Sequence, residues 1–185
     1  MNIKKQDIIY YNGSLMRVQS IEFYRTGKNN VVYRVMLKDL LKNKSQLVNI
    51  KERDKIRYAN DVLEISSMFN YREKNFLIFV EGDNQFEVDV KKVKPEQLTL
   101  LLNAVEDVYC KLLILDSKVL RVTLPPALQI KIEYAAAISR NLGASSMTNR
   151  PVALAGGLEA FAPHFIKSGD VVTVNTKTLE YVSRN

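Results

Sequence analysis

The sequence predicts an all-β chain divided into three small barrels, and three observations carry that reading. Period-2 alternation of apolar and polar residues recurs along the chain, which places successive side chains on opposite faces of pleated strands. Turn signals separate many short runs of this kind, a pattern of small barrels or sandwiches, and closure into barrels removes exposed edges. Two seams then divide the 185 residues: the double proline Pro125-Pro126 and a change of charge near residue 62. The expected domains are therefore 1–61, 62–124 and 125–185. With 46% hydrophobic and 25% charged residues the composition is ordinarily globular. A core of this size is marginal alone, so packing between barrels should help.

Taken in order, the first signal is Tyr10-Tyr11-Asn12-Gly13-Ser14-Leu15-Met16. Asn-Gly between two strand-like runs predicts a hairpin, because both central positions of a type I′ turn need positive φ. Two β-rich runs, 16–23 and 31–37, then flank Tyr24-Arg25-Thr26-Gly27-Lys28-Asn29-Asn30. That segment predicts a hairpin tip, with Gly27 free to take positive φ and Lys28 projected outwards. A Gly-Lys tip can be a soluble turn and nothing more; the functional reading is a positioned cation at the end of an extended arm. Further strands are expected where Phe86, Val88 and Val90 alternate with acids, where Leu120, Val122 and Leu124 alternate with Arg121 and Thr123, and where Leu128, Ile130, Ile132 and Tyr134 alternate with polar residues. One stretch breaks the rhythm. Pro95 suits a first helical turn, and Leu98, Leu101, Leu102 and Val105 follow at the spacing of one helical face.

The net charge of +7, with a pI near 9.4, favours a polyanionic partner. Its distribution matters more than its size. Residues 1–61 hold 13 basic and 6 acidic side chains, residues 62–124 hold 8 and 10, and residues 125–185 hold 6 and 4. Basic surface can serve solubility alone, but segregation into one third points to a face directed at phosphate. A single cysteine, Cys110, cannot form an internal disulfide, and with one histidine, His164, it cannot supply a structural zinc site. His164, in an apolar context, reads as a half-buried structural residue, and Cys110, in a strand-like run, as a small core residue. No glycine loop has the spacing of a phosphate cradle. The expectation is a protein without enzymatic activity, cofactor or metal. No apolar run approaches the roughly 20 residues of a membrane helix, and the N-terminal residues lack a signal-peptide core, so a cytoplasmic protein is expected.

At its end the chain reads Phe165-Ile166-Lys167-Ser168-Gly169-Asp170-Val171-Val172-Thr173-Val174-Asn175-Thr176, then Glu180-Tyr181-Val182-Ser183-Arg184. This is similar to the long "F-x-x-x-G-[DE]-x-I-x-V-[DN]-T-x-x-x-E-Y-x-S-R" ending of the bacterial translation elongation factor P family. Pro125-Pro126 and Arg150-Pro151-Val152-Ala153-Leu154 fall where that family has a double proline and a "K-P-A-T-L" segment. Residues 24–41 resemble its "K-P-G-K-G-Q-A-F-x-R-V-K-L-R-x-L" region without a gap. The resemblance spans nearly the whole chain.

It implies an SH3-like barrel followed by two OB-type barrels in an L shape similar in size to tRNA. It also implies a monomeric factor that binds the ribosome beside peptidyl-site tRNA and relieves stalling at consecutive prolines. Lys28 matches the lysine that a modifying enzyme extends with a β-lysyl group in many members, and Arg25, Thr26, Gly27 and Asn29 complete the tip that faces the tRNA CCA end. Thr26 replaces the family's loop proline and Asn29 the glycine after the lysine. Gly143, Ser145 and Ser146 occupy the place of a "G-D-T" loop that approaches mRNA in the exit site, with Ala144 replacing the acid. Tyr181 and Arg184 are expected at a ribosomal or tRNA contact. A paralogous branch, the elongation factor P-like proteins, also has a non-standard tip, often with arginine; Lys28 argues against that branch, while the departures at Thr26, Asn29 and Ala144 leave both branches open. The competing class is a stand-alone OB-type binder of single-stranded nucleic acid, whose mark would be aromatic side chains spread over a basic barrel face.

Overall fold

The computed structural model describes residues 3–26, 30–51, 53–135 and 149–184. Its strands form three five-stranded sheets, with one α-helix among the described residues. The first sheet is built from β1 (Ile8–Tyr11), β2 (Ser14–Thr26), β3 (Asn30–Asp39), β4 (Ser45–Lys51) and β5 (Arg57–Tyr58), in the order β4-β3-β2-β1-β5. Asn12 and Gly13 have φ of 48° and 77°, the two positive values that the β1–β2 turn was expected to need. Ile9, Met16, Val18, Val35, Leu37 and Ile50 form the core on one face of this sheet. A bulge intervenes in β2: Val18 pairs with Leu37 and Ser20 with Met36, leaving Gln19 as the extra residue. This shifts the inward set from Met16 and Val18 to Ile21, so Ser20 turns to solvent.

The second sheet contains β6 (Val62–Glu73), β7 (Phe76–Glu81), β8 (Asn84–Asp89), β9 (Tyr109–Leu115) and β10 (Lys118–Thr123), ordered β10-β9-β6-β7-β8. A 3-10 turn at Val90–Lys92 and helix α1 (Pro95–Asn103) connect β8 to β9. Pro95 stands in the first turn of α1, as its fixed φ favours. The buried stripe differs from the expected one: Leu100 and Leu101 are buried, whereas Leu102 and Val105 are exposed. The helix ends at Asn103 and Ala104 becomes extended, forming a β-bridge to Ile130, so the turn that would have carried Val105 onto the apolar face never forms.

The third sheet comprises β11 (Ala127–Ala135), β12 (Arg150–Leu154), β13 (Glu159–Ala162), β14 (Val171–Asn175) and β15 (Tyr181–Arg184), ordered β13-β12-β11-β14-β15. The two outermost strands, β13 and β15, approach each other, which curls the sheet towards closure. Leu128, Ile130 and Ile132 are buried as alternation requires, but Tyr134 is 62% exposed. Ile132 pairs with Leu154 and Tyr134 with Ala153, so Glu133 is the extra residue of a bulge that turns Tyr134 outwards.

Two compact units divide the chain, Met1–Leu63 with Ile114–Leu120, and Glu64–Leu113 with Arg121–Asn185. Within the second unit, α1 and the residues after it dock against the third sheet. Val105 N–H donates to Gln129 O at 3.0 Å, Gln129 N–H to Glu106 Oε1 at 3.0 Å, and Gln97 Nε2 to Thr176 O at 3.2 Å. Thr176, itself buried, donates its hydroxyl to Pro125 O at 2.6 Å, which ties the double proline to the end of β14.

Gly156 marks the tightest approach in this unit. Its φ is +85°, and a Cβ there would stand 2.5 Å from Thr99 Cγ2 and 2.6 Å from Asn103 Nδ2 of α1. Gly157 shares the left-handed backbone, at φ +79°, but a Cβ there would meet nothing within 4 Å. Gly157→Ala should therefore cost only the backbone strain, about 1 kcal/mol, whereas Gly156→Ala should cost a further 1–2 kcal/mol or so because stiff, β-branched Thr99 must move. Urea unfolding of the two variants measures the difference; equal losses would show that α1 yields freely.

Candidate nucleic-acid interface

The face of the first sheet opposite its core is a cationic surface. Because Val35 and Leu37 point inwards, Arg34, Met36 and Lys38 of β3 point outwards. The register aligns their neighbours: Lys38 opposes Arg17, Met36 opposes Ser20 and Leu47, Arg34 opposes Glu22 and Asn49, and Val32 opposes Tyr24 and Lys51. Four cations, Arg17, Arg34, Lys38 and Lys51, thus share one face with a single acid, Glu22. That carboxylate accepts the Tyr24 hydroxyl at 2.8 Å. Six residues separate the Val32 row from the Lys38 row, or about 20 Å of positively charged strand surface.

At the end of this face, the β3–β4 turn presents Lys42 and Lys44, both exposed. Asp39 builds the turn: its buried carboxylate accepts the N–H groups of Leu41 and Lys42, each at 2.8 Å. The Lys42 N–H lowers the Asp39 pKa from its ordinary 3.8; burial opposes this, while the Leu41 N–H and the Lys42 charge assist. This acid, inside the most basic part of the chain, therefore serves the turn it builds.

Not every anticipated site residue falls within the described structure. Gly27, Lys28 and Asn29 lie outside the described residues, as do Gly143, Ala144, Ser145 and Ser146. Arg25 and Thr26 are paired in the ladder, with Val31 and Asn30, so β2 and β3 run together up to the Lys28 segment. Tyr181 is half-buried and pairs with Val174. Arg184 Nη2 donates to Asp170 Oδ1 at 3.2 Å, with the arginine side chain 49% exposed. Asp170 in turn accepts Lys167 N–H at 2.8 Å, Gly169 (φ 93°) donates its N–H to Ile132 O at 2.8 Å, and Asn175 Oδ1 accepts from Lys177 and Thr178. The C-terminal motif is thus, within this unit, a set of turn and ladder contacts that fix β14 and β15.

Cys110 and His164 stand in opposite settings, one buried and one exposed. Cys110 is fully buried, and burial alone pushes its thiol up to about 12, far from a nucleophilic thiolate. His164 is exposed rather than half-buried, its ring edge-on to Phe165 at 6.0 Å, because the segment between β13 and β14 carries it outside the sheet while Ile166 fills the core. Among the described residues no group of three or more His, Cys, Asp or Glu could hold a metal ion, and no helix is long and apolar enough to cross a membrane. The third sheet does expose two aromatics, Tyr134 and Phe161, that alternation alone did not reveal. Tyr134 shares its cross-strand row with Ala153 and the acid Glu159, a setting opposed to a nucleic-acid backbone.

Comparison with known proteins covers both ends of the chain. Residues 1–56 match the family described as Elongation factor P (EF-P) KOW-like domain, and residues 128–184 match Elongation factor P, C-terminal. An elongation factor P from Borrelia hermsii is 33% identical over 98% of this chain and 94% of its own length. One from Shewanella loihica is 24% identical over 98% and 96%. Among solved structures, a translation initiation factor eif-5a family protein from Naegleria fowleri is similar with a TM-score of 0.49 and 11% identity, over 66% of this chain and 94% of that one.

The Asp39 turn yields a pH test. A carboxylate whose folded pKa is lowered stabilises fully above its unfolded pKa, and that contribution disappears as pH falls through the folded value. Asp39→Asn should therefore be less stable at pH 7 by about 1 kcal/mol, and the gap should close below about pH 3.8 as the native carboxyl protonates. Chemical denaturation across that range measures it; a gap independent of pH would show that the charge on Asp39 does not hold the turn.

Proposed function

We infer, because this chain belongs to the elongation factor P family of translation factors, that it binds the ribosome next to peptidyl-site tRNA and promotes peptide-bond formation at consecutive prolines. The observation that carries this reading is the outward face of the first sheet, where Arg17, Arg34, Lys38 and Lys51 stand together against one acid. Such a face meets phosphates of ribosomal RNA and tRNA through charge and counterion release, without reading sequence. Strands β2 and β3, paired up to Thr26 and Asn30, carry the tip segment Arg25, Thr26, Gly27, Lys28 and Asn29. Lys28, with or without extension by a modifying enzyme, orients the CCA end of the tRNA. The ribosome supplies the chemistry and the factor supplies geometry, so no catalytic group, metal or cofactor of its own takes part.

The working division is 1–61, 62–124 and 125–185, with Gly143, Ser145 and Ser146 towards mRNA in the exit site. Tyr181 and Arg184 border a ribosomal or tRNA contact, Arg184 while held by Asp170. The protein acts in the cytoplasm as a monomer. A stand-alone single-strand binder is disfavoured because the exposed aromatics of the third sheet lie beside Glu159.

Two variants separate holding from orienting. In cells lacking the native gene, Lys28→Ala should abolish rescue of translation through consecutive prolines while ribosome affinity falls by no more than about fivefold at physiological salt, the effect of one lost phosphate contact. Lys38→Glu with Lys51→Glu should lose rescue through lost affinity. Lys28→Arg keeps the charge but blocks an amide extension, so its failure would mark modification as required. Normal rescue by Lys28→Ala would remove the tip from the mechanism.

A further inference from the structure

The cationic face continues beyond the rows that charge counting marks. On β1, Ile9 and Tyr11 turn to the core, so Ile8 and Tyr10 turn outwards. Ile8 shares its row with Arg17 and Lys38; Tyr10 stands two residues on, opposite Arg57 of the edge strand β5. The Arg57 guanidinium lies over the Tyr10 ring, its carbon 4.6 Å from the ring centroid. Stacking fixes the plane of the guanidinium and occupies one of its faces, while the N–H donors around its edge stay directed into solvent. Among the described residues that guanidinium has neither a carboxylate nor a carbonyl partner.

We propose that Arg57, held flat on Tyr10, is a dedicated phosphate clamp at the margin of the cationic face, gripping one phosphodiester of structured RNA through its planar N–H fork. The proposal rests on the reading of the first sheet as an RNA-binding face and adds a residue pair to it. Three features favour phosphate as the occupant. Arginine's fork matches two phosphate oxygens where an ammonium offers a point charge. The tyrosine ring pre-orders the long side chain, so less conformational freedom is lost on binding. Finally, the pair lies about 7 Å beyond the Arg17–Lys38 row on the same face, which places it along the path of a backbone already neutralised there.

The full-length protein is titrated against 70S ribosomes and, separately, against a structured RNA hairpin, over a range of salt. Arg57→Lys keeps the charge, so the slope of log affinity against log salt should stay unchanged while affinity falls about three- to tenfold on both targets. Tyr10→Leu should produce a similar fall, and the double variant should fall no further than either single one, because fork and ring act as one unit. Thermal melting of each variant is followed in parallel, and affinities are compared per folded molecule. Unchanged affinity in Arg57→Lys would overturn the clamp. Additive losses in the double variant would likewise overturn it, since the ring would then act independently of the fork. A loss on ribosomes without a loss on the hairpin would assign the fork to an acidic protein surface and also overturn it. Lys38→Gln with Lys51→Gln is the separate control: its salt slope should fall by about 0.7–0.9 per lysine. If that slope stays unchanged, the RNA-binding reading of the whole face fails. If it falls while Arg57→Lys binds normally, only the clamp fails.

Discussion

The register between β2 and β3 is the constraint on which the rest of the first unit depends. Side chains alternate with period 2, so a slip by one residue would exchange Val35 and Leu37 for Arg34, Met36 and Lys38, burying two cations and exposing the core. Two local devices fix which side of β2 faces the core. The Asn12-Gly13 turn, with both φ values positive, sets β1 against β2. The bulge at Gln19 then absorbs one residue, so that Met16 and Val18 before it and Ile21 after it all face inwards. The cationic face is the reverse side of this arrangement: the order that packs Ile9, Val35 and Ile50 also gathers Arg17, Lys38, Arg34 and Lys51.

A second constraint operates in the other unit, where a short helix replaces a longer amphipathic one. Ending α1 at Asn103 frees Ala104 and Val105 to bond with β11, and the close approach of Gly156 to Thr99 and Asn103 fixes the helix against the β12–β13 connection. Thr176, Asn175, Asp170 and Gly169 hold the strands around this contact through turns and backbone bonds. The chain's most recognisable segment is accordingly first a folding device. Whatever Arg184 touches outside the protein, it does so from an ion pair with Asp170.

Much of this was legible in the residues, and the remainder was hidden for physical reasons. Local signals survived intact: Asn12-Gly13 made its turn, Pro95 opened its helix, and the alternation at 128–132 became a buried strand face. What depended on distant partners did not. No pattern within β11 announces that Glu133 will bulge and turn Tyr134 outwards, because the bulge is defined by the pairing with β12. The helical stripe misled in the same way, since Val105 fits the period but the bridge from Ala104 to Ile130 ends the helix first. Charge counting located the basic third, yet which cations share a face, and that Arg57 rests on Tyr10, follow only from the register. The strands that flank the Lys28 segment in sequence are paired up to Thr26 and Asn30, as the β-rich runs on either side of it require.

The proposed function claims one binding surface, the outward face of the first sheet, and not charge in general. Lysine labelling isolates that surface: the protein is reductively methylated alone and bound to 70S ribosomes, and each lysine's protection is read by mass spectrometry. Protection should concentrate at Lys38, Lys42 and Lys51, on or beside that face, while the exposed Lys91, Lys92 and Lys177 of the other unit stay close to their free reactivity. Uniform protection, or protection confined to the lysines of the second and third sheets, would contradict the claim.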